Sequence, residues 1–158
     1  MKILGIDPGL ATIGFAVLDD KQLADFGTIQ TPSDLSLSER LLHIANDAQS
    51  LLEQSQPDVI AIEQLFFVQN VTNGMMVSHA RGVLLSSFAA AGVPVLEVSP
   101  KDVKLAVCGY GNAPKAQVQH MLMRIFTLKS IPQPDDAADA IAIAYWASQQ
   151  KAAKNLVM

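Results

Sequence analysis

The sequence predicts an α/β fold built on a five-stranded mixed sheet with helices on both faces, and three observations predict it. The first thirty residues hold three strand-like stretches divided by short polar turns, the pattern of an antiparallel meander. Val59-Ile60-Ala61-Ile62 is apolar at every position, so a strand there has no solvent face and suits a parallel arrangement covered on both sides. Elsewhere apolar residues recur at helical spacing, giving the order β-β-β-α-β-α-β-α-α-α; a meander followed by βαβαβ forms one sheet.

Ile3-Leu4-Gly5-Ile6 ends at Asp7-Pro8-Gly9, a turn signal. Ile13 to Leu18 is the second strand, closed by Asp19-Asp20-Lys21-Gln22, and Leu23 to Ile29 is the third. Ser36 and Glu39 stand at capping-box spacing, ahead of Leu41, Ile44, Ala45, Ala48, Leu51 and Leu52 at helical spacing; Pro57-Asp58 ends that helix. Beyond the apolar strand, Val71 to Ala91 reads as a long helix whose apolar and small residues, Met75, Val77, Ala80, Leu84, Leu85 and Phe88 among them, cover most of its circumference. Such a helix is expected to be buried on more than one side, with a second copy of the chain on the extra face. Val93 to Val98 is a further strand, a short helix follows Ser99-Pro100, and Gly109-Tyr110-Gly111-Asn112 is a loop. Another helix starts near Pro114 with Asn112 as its cap, and the last opens with Asp135-Asp136 and runs to about Lys151. No repeat or linker interrupts the 158 residues, which read as one domain.

Half of the residues are hydrophobic and 16% are charged, a globular composition. A single cysteine, Cys108, excludes an intrachain disulfide framework, suits a reducing compartment and reads as a small buried apolar residue. The start of the chain lacks the apolar run of a targeting signal, and Val83 to Val98 is broken by Ser86, Ser87 and Pro94, too short to span a bilayer. A soluble cytoplasmic protein, free of any membrane, is therefore expected. The net charge of −4 and pI of about 5.2 argue against nucleic acid when read globally. Read locally they do not: from Asn70 to Ser130 there are six basic residues, Arg81, Lys101, Lys104, Lys115, Arg124 and Lys129, against two acidic ones, Glu97 and Asp102.

Asp7 and Glu63 each end a strand of the parallel part of the sheet, so both carboxylates are expected at one edge, where ligands bind in open α/β sheets. Asp136 and Asp139, three apart, share a helix face that continues through Ala140, Ile143 and Trp146 toward the core. Burying unpaired carboxylates is costly and they repel one another; a divalent cation relieves both problems. Four carboxyl groups with no cysteine or clustered histidine form an oxygen-rich set that favours Mg²⁺ or Mn²⁺ over Zn²⁺. Asp135, four residues from Asp139, is also permitted by spacing; capping is assigned to Asp135 and metal binding to Asp136.

Two metal ions held by four acids suit phosphodiester hydrolysis. Lys104 and Lys115, each at a loop or helix start in the basic span, are the candidates for the scissile phosphate, and Lys101 for a further DNA contact. Phe66 and Phe67 follow Glu63-Gln64-Leu65 directly, so one of them is a candidate wedge that stacks on an unpaired base. His43, His79 and His120 are scattered over helices and read as structural or surface residues; no phosphate-binding glycine loop is present.

Five stretches in order carry a family likeness: Gly5-Ile6-Asp7-Pro8-Gly9, Ala61-Ile62-Glu63-Gln64-Leu65-Phe66, Ala80-Arg81-Gly82-Val83, Val118-Gln119-His120-Met121 and Asp136-Ala137-Ala138-Asp139-Ala140-Ile141-Ala142. From residue 3 to about 147 the sequence resembles the RuvC family of bacterial crossover-junction endonucleases, of the ribonuclease H-like superfamily. The resemblance implies a homodimer that nicks opposing strands of a Holliday junction, depends on Mg²⁺, leaves 5′-phosphate and 3′-hydroxyl ends, and works with the RuvA–RuvB branch-migration machinery. It places the family's acidic tetrad on Asp7, Glu63, Asp136 and Asp139, its lysines on Lys104 and Lys115, and its stacking-disturbing aromatic on Phe66. Some relatives carry histidine where this chain has Asp136. The rival readings are an actin- or sugar-kinase-like ATPase, which needs two such domains where 158 residues leave no room, a junction-binding scaffold without catalysis, and a related resolvase or RNA-processing nuclease of the same superfamily.

Overall fold

Strands β1 (Lys2–Asp7), β2 (Thr12–Asp19) and β3 (Gln22–Gln30) run antiparallel in sequence order, as their turn signals require. Asp20 and Lys21 join β2 to β3 with φ of 44° and 69°, the left-handed pair of a two-residue hairpin turn. The structure, a computed structural model, describes residues 1–65 and 71–150. Within them β4 (Val59–Glu63) pairs parallel with β1, and β5 (Val95–Val98) parallel with β4, giving one five-stranded sheet in the order β3-β2-β1-β4-β5.

Alternation along the strands divides the apolar side chains between two cores. Leu4, Ile6, Ile60 and Ile62 point to the face covered by α1 (Leu37–Ser55) and α2 (Val71–Ala90). Ile3, Val59, Ala61 and Val98 point to the face covered by α3 (Pro100–Cys108), α4 (Lys115–Ile125) and α5 (Asp135–Gln149). Val59 to Ile62 are all fully buried, as an uninterrupted apolar strand demands. Cys108 is half-buried, packed against the second of these cores.

The helix ends follow local chemistry with two exceptions. Ser36 and Glu39 close the expected capping box on α1, the Ser36 N–H donating to the Glu39 carboxylate at 2.8 Å. Ser99 caps α3 by accepting from the Asp102 N–H. Asn112 does not cap α4, and Asp135 does not cap α5: the N-cap residues are Pro114 and Pro134, neither with a side-chain cap bond. In each case the proline presets φ near −65° just ahead of the first turn and occupies the cap position itself.

Two glycines bring α5 against the sheet. A Cβ on Gly5 would collide with the backbone oxygen of Ala140 and lie 2.7 Å from the Ala144 nitrogen; one on Gly14 would collide with the Asp136 carbonyl. Only hydrogen at these positions permits α5, lined with Ala137, Ala140 and Ala144, to approach β1 and β2 backbone to backbone. Gly14 pairs with Asp7 across the β1–β2 ladder, so the same contact brings the first turn of α5 beside the end of β1.

Helix α2 presents two different faces. Ala80, Leu84 and Phe88 form one buried stripe, while Met75 is 54% exposed and Gly82 is at the surface. Within a single chain it is buried on one side; its second apolar side remains at the surface. No helix among the described residues is long and apolar enough to cross a membrane.

Candidate active site

The parallel ladder of β1 and β4 ends at Ile6 opposite Ile62, and the next residue on each strand is an acid, Asp7 and Glu63. Asp136 and Asp139 sit on the first turns of α5, held over the same edge by Gly14. The acids feel one another strongly. Burial, reinforced by the charges of Glu63, Asp139 and Asp136, pushes the Asp7 carboxyl up to about 8. Burial and the charge of Asp139 push Glu63 up to about 7 against the pull of Lys104 and Lys115. Burial also raises Asp139, with the Lys115 hydrogen bond partly opposing it. Chain segments more than a hundred residues apart thus place four acids in one electrostatic field, as their positions in the sequence predict.

A cleft of about 170 Å³ opens beside these acids, lined by Glu63 and Asp139, by Lys104 and Lys115, and by apolar Val103 and Val118. Lys115, the first residue of α4, donates to the Asp139 carboxylate at 2.8 Å and stands 3.4 Å from Asp135. Burial works against the Lys115 ammonium, but the bond to Asp139 and the charges of Asp139 and Asp135 more than offset it, so its pKa is raised. Asp135, expected to be only a cap, is instead an exposed acid that accepts from Gln119 at 3.0 Å and steadies Lys115. Lys104 lies in the second turn of α3, inside the helix, not at its start. Lys101 is exposed, lays its aliphatic stem over Gly111 and does not itself line the cleft. Phe66 and Phe67 lie outside the described residues.

Among the described residues no three acid, histidine or cysteine side chains converge into a finished metal cage. The donor chemistry nonetheless fits a hard cation: half-buried carboxyl groups, two of them held near neutral pKa by partial burial and mutual repulsion, are what a divalent ion would discharge. Asp7, Glu63, Asp136 and Asp139 are the residues that could hold it.

These shifts set a pH dependence. Asp7 and Glu63 have folded pKa values of about 8 and about 7, above the roughly 4 expected unfolded, so the folded chain binds more protons in between. Their contribution to stability is therefore full at acidic pH and lost as pH rises through about 7 to 8. In chelator-treated protein the melting temperature is expected to fall from pH 5 to pH 8, and added Mg²⁺ to raise it more at pH 8 than at pH 6. A stability that rises through this window would contradict the buried-acid reading.

Arg81, counted in the sequence only as one cation of the basic span and as part of the family likeness, supports this edge from behind. Its side chain, 16% exposed, donates from Nε to the backbone carbonyl of Glu63 at 3.1 Å and from Nη2 to the Glu97 carboxylate. The sequence signal was available: Arg81 follows Ala80 of the buried stripe of α2, where an arginine needs acceptors. Two of the six cations counted in the basic span, Arg81 and Lys115, are thus paired with acids.

The sheet order, with acids at the carboxyl edge of its parallel half, defines the ribonuclease H-like class. The profile of the crossover junction endodeoxyribonuclease RuvC family matches residues 3–146. The crossover junction endodeoxyribonuclease RuvC of Chloroflexus aggregans is 47% identical over 148 residues, covering 91% of this chain and 90% of that protein. That of Brevibacillus brevis is 47% identical over 156 residues, covering 96% and 94%. The structure of Thermus thermophilus RuvC in complex with a Holliday junction substrate superimposes with a TM-score of 0.88 at 33% identity, covering 94% of this chain and 93% of that one. The chain belongs to the RuvC family of crossover junction endodeoxyribonucleases, a family of metal-dependent nucleases.

Proposed function

We propose that this protein resolves Holliday junctions by paired, symmetric nicks in strands of like polarity, leaving 5′-phosphate and 3′-hydroxyl ends for recombination and repair in the cytoplasm. One observation carries the reading: a carboxyl edge where Asp7 is pushed up to about 8 by burial and its acidic neighbours borders a cleft walled by Lys104 and Lys115. Asp7, Glu63, Asp136 and Asp139 would hold Mg²⁺, two ions per site, with Mn²⁺ able to substitute. When bound, such ions lower the pKa of the attacking water and stabilise the leaving 3′ oxygen. The remaining work falls to the chain. Lys104 and Lys115 meet the scissile phosphate, and Lys115 turns from Asp139 to the phosphate as DNA enters, freeing that carboxylate. Lys101 contacts the backbone of a duplex arm, and Phe66 or Phe67 stacks at the crossover. A homodimer joined through the surface side of α2 matches the two-fold symmetry of the junction and supplies the second nick; RuvA–RuvB delivers the branch point.

The substrate test compares a synthetic four-way junction with a linear duplex and an RNA–DNA hybrid of the same sequence. Mg²⁺-dependent nicking confined to the junction supports the assignment; equal cleavage of all three refutes it. Lys104→Ala and Lys115→Ala are expected to slow single-turnover cleavage by about 10²-fold, the scale of losing one charge-stabilising donor, and to weaken junction binding far less. Unchanged rates would remove both lysines from the phosphate.

A further inference from the structure

We infer that Arg81 is a positioning residue for Glu63: it clamps the peptide at the end of β4 so that the Glu63 carboxylate is presented to the cleft. This rests on the proposed function of that edge but concerns a side chain that does not line the cleft. Glu63 is the last residue of β4, opposite Val98 on β5. Beyond it the ladder continues for one bond, from the Gln64 N–H to the Val98 carbonyl at 2.7 Å. The Glu63 carbonyl accepts from Arg81 Nε on α2, and the same guanidinium reaches Glu97 on β5. One planar group therefore ties α2, β4 and β5 together at the residue whose side chain faces Lys104, Lys115 and Asp139.

The geometry requires arginine. Two donors in a fixed plane meet two acceptors in different directions, a backbone carbonyl and a carboxylate; a lysine ammonium on a flexible stem can hold one without orienting the other. The charges acting on the Glu63 carboxyl come from the cleft side, from Asp139, Lys104 and Lys115. Arg81 grips the backbone behind it, so its effect passes through the placement of Glu63 and not through direct contact with DNA.

The test uses the full chain with Arg81→Ala, Arg81→Lys and Glu97→Gln. Three quantities are read: the single-turnover rate on a four-way junction, the Kd for that junction in Ca²⁺, and the affinity for Mn²⁺ alone. Arg81→Ala is expected to lower the rate and the Mn²⁺ affinity by about 10- to 100-fold, the range seen for partners that orient a metal ligand, with Kd within about twofold. Arg81→Lys recovers little of either, because it keeps the charge and loses the fork, whereas Glu97→Gln, which keeps an acceptor oxygen, changes each by less than about threefold. Melting curves on every variant separate these losses from unfolding. Full recovery by lysine, a Kd that weakens in step with the rate, or an unchanged Mn²⁺ affinity would overturn the proposal. If the unmutated chain binds Mn²⁺ but nicks no junction, the proposed function fails, and the Mn²⁺ affinities of the variants still decide the role of Arg81.

Discussion

Asp7→Asn is expected to reduce the single-turnover nicking of a four-way junction by at least about 10²- to 10³-fold, the scale of removing one preorganised charged group from a reacting centre. Junction affinity should stay within a few-fold, because Asp7 is a half-buried acid at the end of β1 and presents no positive charge to a phosphate. The same variant should be more stable than the unmutated chain in chelator at pH 8. Burial, with Glu63, Asp139 and Asp136 nearby, makes the ionised Asp7 unfavourable, and an amide of the same shape removes that charge. The opposite signs matter. A residue needed only for folding would lose stability and activity together, whereas one strained for function loses activity and gains stability. A variant that nicks at the unmutated rate would remove Asp7 from the reaction.

Gly14→Ala is expected to cost about 3 kcal/mol or more of folding free energy, at the upper end of what an added buried methyl costs. The methyl falls on the carbonyl oxygen of Asp136, which is backbone, so no side chain can rotate out of its way and α5 or β2 must move. Gly27→Ala is the internal comparison: its Cβ would meet the Phe15 ring at 3.1 Å, and a ring can turn aside, so the loss is smaller. Because the displaced turn carries Asp136 and precedes Asp139, residual folded Gly14→Ala should also nick more slowly than its folded fraction predicts. Denaturant unfolding of both variants checks this; a Gly14→Ala midpoint equal to that of the unmutated chain would show that α5 does not depend on that close approach.

The fold was legible where pattern has one physical meaning. Four consecutive apolar residues at Val59 to Ile62, rich in β-branched side chains and set off by Pro57-Asp58, fit a strand covered on both faces, and Ser36 with Glu39 fits a capping box. The strand-end acids followed from register, since Asp7 and Glu63 stand one residue beyond paired apolar runs. What failed was chemistry with several outlets. Asn112 and Asp135 are good caps in isolation, but proline already held each cap position, and Asp135 found Lys115 and Gln119 instead. Arg81 was only counted in the basic span and the family likeness, with no role of its own, because its acceptors, the Glu63 carbonyl and Glu97, are contributed by strands whose adjacency to α2 is a tertiary fact. For α2, composition gave the apolar circumference correctly, but which part of it one chain buries depends on how Ala80, Leu84 and Phe88 meet the sheet.

In the proposed reaction, the acids brought together by β1, β4 and α5 discharge their repulsion on a divalent ion. Mn²⁺ titration of the protein bound to a four-way junction made uncleavable at the scissile linkages, read by the loss of the free-ion paramagnetic signal and corrected for the junction alone, tests this most directly. Saturable binding is expected, with protons released at pH 7 because Asp7 and Glu63 carry pKa values of about 8 and about 7, and with binding abolished in Asp7→Asn and Asp139→Asn. Identical titrations for the unmutated chain and both variants would contradict it.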